Sequence, residues 1–189
     1  MGNLTAALAA IDAANAADPT REAGRPAAQL YGERMSAELD RQHPGASDIL
    51  QIAARGQHVE RWLLPRAEYP EGKTGYLHWR REQGRRHAAR VAGIMADAGY
   101  DTAAQDRVGV LLRKEGIKRD TEVQALEDVI CFVFLRHYFA PFAAKHAPEA
   151  VRDIVAKTAR KMSGPARARA LEEFQLPPDL AEAVRESEA

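Results

Sequence analysis

"TEVQALEDVICFVFLRHYFAPFAAK" (residues 121–145) is the stretch whose reading decides the fold. Val129 through Leu135 form an unbroken apolar run, and Asp120 or Thr121 is a helix cap in front of it. A segment that is apolar nearly all round is one surrounded by other elements. A central helix is therefore predicted over 121–145, although its apolar run is far too short to cross a bilayer.

Outward from this helix, every neighbour also reads as helical. Leu4, Leu8 and Ile11 place a helix over 3–17, and Leu30, Tyr31, Met35 and Leu39 place a second over 28–42. Ser47 caps a third, over 48–63. A fourth covers 75–98 with Arg80, Gly84, His87, Val91, Ile94 and Met95 on its inward face, and Gly99 ends it. Thr102 and Gln105 form a capping box for a fifth over 103–114. Two more, over 149–162 and 165–174, precede "LPP" (176–178). Residues 17–26 and 65–76 carry the prolines and glycines of loops. No repeat and no linker interrupts the pattern. The expectation is one all-α domain over 1–189, a bundle of about eight helices.

Composition narrows the function classes. The 189 residues are 46% hydrophobic, enough for a core, and hold 27 basic and 27 acidic residues. A net charge of zero argues against a general nucleic-acid binder, while leaving a local basic face open to RNA. The single cysteine, Cys131, allows no internal disulfide and fits a reducing, cytoplasmic setting. No segment reads as a membrane span or a secretory leader. Self-association as a homodimer is common for small helical proteins, but no interface is legible.

"AARGQHVERW" (53–62) raises the question of chemistry, because it places His58 between two arginines on a face shared with Ala54 and Trp62. His87 lies on the same stripe as Val91, Ile94 and Met95, and Asp128 opens the apolar run of the central helix. A histidine on a half-apolar face is, by itself, more often structural. A buried carboxylate needs a cation, donors or a metal. Together, two imidazoles and a carboxylate from three helices make a shell for a divalent metal ion, with Mn, Fe, Zn, Ni and Mg not distinguished. Such an ion would activate a water and polarise a phosphoryl oxygen. The cations available to a phosphate-containing small molecule are Arg55, Arg61, Lys73, Arg80, Lys114 and Lys118. "EGKTGY" (71–76) lacks the spacing of a phosphate loop and reads as a lid hinged at Gly72 and Gly75.

Several long stretches carry a family resemblance: "YGERMSAEL" (31–39), "AARGQHVERW" with "PRAEYPEGKTGYLHWR" (65–80), "LLRKEGIKRDTEVQALEDVICFVFLRHYF" (111–139) and "KTARKMS" (157–163). They resemble DUF4202, a family of domains of unknown function, over about residues 5–180. The order of helices and polar residues is also similar to the HD superfamily of metal-dependent phosphohydrolases. Those all-α proteins place a His on an early helix, a His-Asp pair on the next and an Asp on a later one. That resemblance implies His58, His87 and Asp128 as metal ligands. It also implies a role for Lys114 at phosphate or metal. His87 is followed by Ala88, so the paired aspartate is missing, and Glu127 is the nearest substitute. Two functions stay open: a divergent phosphohydrolase, with Asp128, Glu127 and Lys114 at the chemistry, or a non-catalytic module that binds a nucleotide, RNA or another anion. A protein-interaction domain with purely structural histidines is the third reading.

Overall fold

The computed structural model describes residues 2–186, and among them the chain is all-α, with ten α-helices and one two-residue hairpin. It divides into two compact units, Met1–Glu115 and Gly116–Ala189.

The first unit holds α1 (Leu4–Asn15), the strands β1 (Arg21–Glu22) and β2 (Arg25–Pro26), α2 (Ala27–Gln42), α3 (Asp48–Arg55), α4 (Gly72–Asp97) and α5 (Thr102–Arg113). The strands are antiparallel, joined through Ala23 and Gly24, both with positive φ, as a two-residue hairpin requires. Asp18 fastens this hairpin to α2 by accepting from the Ala28 amide. α4 packs along α5, and α3 packs against α1, α2 and α5. The resulting core contains Ile11, Met35, Leu39, Ile52, Val91, Met95, Val108 and Leu111, each almost fully buried.

The second unit holds α6 (Thr121–Val133), α7 (Phe139–Ala143), α8 (Pro148–Lys161), α9 (Gly164–Glu173) and α10 (Pro178–Arg185). Phe132, Leu135, Met162, Ala166 and Ala170 form one cluster, and Val151, Val155, Leu180 and Val184 form another. Cys131 is buried within the first of these.

Two of the predicted helix caps are in place. Ser47 accepts from the Leu50 amide, and Asp120 accepts from the Glu122 and Val123 amides. Four expectations need correcting. The cap of α5 is Asp101, which accepts from Ala104, while Gln105 turns back to the Tyr100 carbonyl. The helix predicted over 48–63 stops at Arg55. Gly56 follows, packed so close to Val91 that a Cβ would overlap it. The helix predicted over 121–145 is broken by a π-helical turn at Phe134–Tyr138. Pro141 has no N–H to continue an α-ladder and crowds the carbonyl four residues back, so the helix widens before it. Finally, the "LPP" read as a terminator starts α10, since Pro178 occupies the first helical turn, where a missing N–H costs nothing.

Candidate functional site

His58 lies in a buried turn, not on a helix. After Gly56 the chain crosses the core through Gln57 and Val59, and Glu60 adopts a left-handed conformation with φ 51°. That conformation is disfavoured for a residue with a side chain and must be held by its surroundings. Asn15, fully buried at the end of α1, accepts from the Glu60 amide at 3.0 Å, and the Glu60 carboxylate takes Arg90 of α4 at 3.1 Å. Arg61 begins the next turn. Its carbonyl and that of Leu64 accept from Gln83, and Trp79 donates its indole N–H to Leu64. α4 thus fixes the segment that carries His58 and Arg61 from one side, and α1 fixes it from the other.

The rings meet in a cluster. Tyr31 of α2 stacks on His58 with centroids 3.7 Å apart and planes 12° apart. His87 of α4 lies with its ring 6.3 Å from that of His58. His87 is 3% exposed, and its Nε2 is buried with no hydrogen-bond partner. The Arg61 guanidinium lies over the Trp79 ring at 4.5 Å.

Electrostatics keeps both imidazoles neutral. Burial pushes the His87 imidazole down to about 3, and the charges of Arg61, Arg86 and Lys114 push it the same way. Burial also holds His58 well below its ordinary value, helped by Arg61, His87, Lys114 and Arg80. Arg61 itself is lowered by burial, with Arg80 adding to the effect. No carboxylate pairs with Arg61 among the described residues.

Of the residues singled out from the sequence, the first unit brings together His58, His87, Arg61, Arg80 and Lys114. Lys114 caps α5 in a left-handed conformation, and its charge reaches both imidazoles. Arg55 is taken up elsewhere, because its Nε and Nη2 donate to both oxygens of Asp12. Lys73 is exposed in the first turn of α4. The lid expected at 71–76 is the start of α4, and Gly75 packs directly on the Pro70 carbonyl.

Lys118, Glu127 and Asp128 belong to the second unit. Lys118 is exposed and donates its amide to Gln124. Glu127 is buried, with Lys161 at 3.9 Å. Asp128 has protein donors on both oxygens: Gln124 and the Ser163 amide on Oδ1, and the Ser163 hydroxyl on Oδ2 at 2.6 Å. Its charge serves the start of α9, which Ser163 caps. Among the described residues, no group of three or more His, Cys, Asp or Glu side chains is arranged to hold a metal ion.

Sequence reasoning missed Tyr31, Trp79 and Gln83 as parts of the site. Tyr31 was visible on the inward face of α2, but nothing local links it to His58.

Among the described residues no helix is long and apolar enough to cross a membrane. A family model described as "Domain of unknown function (DUF4202)" matches residues 5–184. No curated protein and no solved structure matches the chain.

Proposed function

Because the chain belongs to the DUF4202 family, whose description assigns no activity, we propose a function from the side-chain cluster itself: the first unit binds the phosphate group of a small molecule at Arg61, His58 and His87. The observation that carries this is Arg61. A guanidinium taken partly out of water without a carboxylate is costly, and an anion removes the cost. The neutral His87, in the tautomer with its proton on Nε2, supplies a donor that no protein group uses. Lys114 and Arg80 add positive potential at His58. The cleft lined by Val59, Glu60, Arg85, Arg86 and Arg90 competes poorly. There Arg85 is paired with Glu82, and Arg90 is paired with Glu60.

Isothermal titration with inorganic phosphate tests the reading. Saturable, salt-sensitive binding that Arg61→Met weakens at least tenfold supports it. No saturable binding to the unsubstituted protein refutes it.

The neutral state of His58 and His87 also favours a second reading, the divergent phosphohydrolase. Neutral imidazole is the form that ligates a divalent ion. The described side chains supply no third ligand beside them, since the Asp128 oxygens are occupied by Ser163 and Gln124. No hydrolytic step is therefore derived. Metal titration followed by a phosphate-release assay distinguishes the readings: turnover that needs the metal and is lost in His87→Leu favours hydrolysis.

A further inference from the structure

The cluster around Arg61 continues outward along α4. Tyr76 lies 6.0 Å from Trp79, centroid to centroid, with planes inclined at 40°. The Arg80 guanidinium lies 5.7 Å from the Tyr76 ring. The order from the interior is Arg61, Trp79, Tyr76, Arg80, so two adjacent rings are flanked by a cation at each end. Tyr76, Trp79 and Arg80 are spaced i, i+3 and i+4 on one helix and share a face.

Tyr76 is 42% exposed. Trp79 is fixed by its bond to the Leu64 carbonyl and by Arg61 above it. Tyr76 therefore rests on a rigid backing. A phosphate needs Arg61 and the imidazoles, but it makes no use of an exposed aromatic face. A flat, π-rich group attached to that phosphate would use it. Arg61 and Tyr76 both lie against the Trp79 ring, at 4.5 and 6.0 Å from its centroid, so a phosphate at Arg61 and a base on Tyr76 would be joined by a ribose across that ring. Stacking on an aromatic side chain beside arginine is a general mode of base recognition.

We infer that the ligand is a nucleoside phosphate whose base stacks on Tyr76 while its phosphate meets Arg61, His58 and His87. This rests on the phosphate-binding reading. It adds the ligand class and a specificity-determining residue.

The test compares adenosine 5′-monophosphate, ribose 5-phosphate and inorganic phosphate by isothermal titration. The nucleotide should bind roughly tenfold or more tightly than ribose 5-phosphate. Tyr76→Ala should reduce nucleotide affinity to that of ribose 5-phosphate and leave ribose 5-phosphate unchanged, while Tyr76→Phe keeps the preference. Equal binding of nucleotide and ribose 5-phosphate, with Tyr76→Ala moving neither, overturns the stacking inference and leaves the phosphate reading standing. Binding of none of the three overturns both. Circular dichroism of each variant separates lost folding from lost stacking, since exposed Tyr76 contributes little to the core.

Discussion

His87 shows how one side chain links stability to function. Its folded-state value of about 3 lies below the ordinary 6.5, so the unfolded chain binds a proton more readily between those values. The stability that neutral His87 permits is complete above pH 6.5 and is lost as pH falls toward 3. With metal chelated, denaturation at pH 7 and pH 4 should show a loss of about 3 kcal/mol attributable to this residue. His87→Leu should remove that part of the pH dependence, and an unchanged slope would show the imidazole is not desolvated. Arg61→Met should leave stability within about 1 kcal/mol, because the lost ring contact offsets the removed desolvation. The same variant should lose phosphate binding, which marks the arginine as kept for a ligand and not for the fold. Asp128→Ala should cost about 3 kcal/mol by urea denaturation, since the Ser163 amide and hydroxyl lose their acceptor. The inward position of His87 was legible from its helical stripe with Val91, Ile94 and Met95, whereas Lys114 was singled out only through the family resemblance. The partner of Asp128 was not, because Ser163 is distant in sequence and looks like an ordinary cap.

Among the elements, the decisive one is the turn between α3 and the 3-10 turn at Arg61–Leu63. Periodicity extended α3 through His58 because Ala54, His58 and Trp62 fall at helical spacing. The chain leaves the helix at Gly56 instead, and the turn that ends at the left-handed Glu60 holds His58 stacked on Tyr31. No local propensity announces such a turn, since its stabiliser is Asn15, on another helix. Asn15→Ala should cost about 1–3 kcal/mol through the stranded Glu60 amide. It should also weaken phosphate binding without changing helix content, as read by circular dichroism and titration together. The π-turn before Pro141 and the missed α10 have a simpler lesson. Proline was read as a stop in one place and overlooked in the other, whereas its effect depends on which turn it occupies.

For the molecule as a whole, the all-α class and most helix positions followed from periodicity and capping residues, which are local properties. The cluster of His58, His87 and Arg61 did not, because it is assembled from α2, α4 and the Gln57–Arg61 turn. Ligand at a hundredfold excess over its dissociation constant should stabilise the protein by about 2.7 kcal/mol. Hydrogen exchange should place the added protection in α2, α4 and the residue 56–64 segment. Protection confined to residues 148–185 would contradict the proposed binding cluster.

The passage from α5 to α6 has its own consequence. Lys114, Gly116 and Lys118 all have positive φ, and the Gly116 carbonyl accepts from both Arg119 and Asp120. Three basic residues, Lys114, Lys118 and Arg119, thus offer trypsin its preferred chemistry in a knotted geometry. A protease needs an extended strand of substrate, so cleavage there waits on transient unwinding. The rate of nicking after these residues becomes a clock for how often this corner springs open.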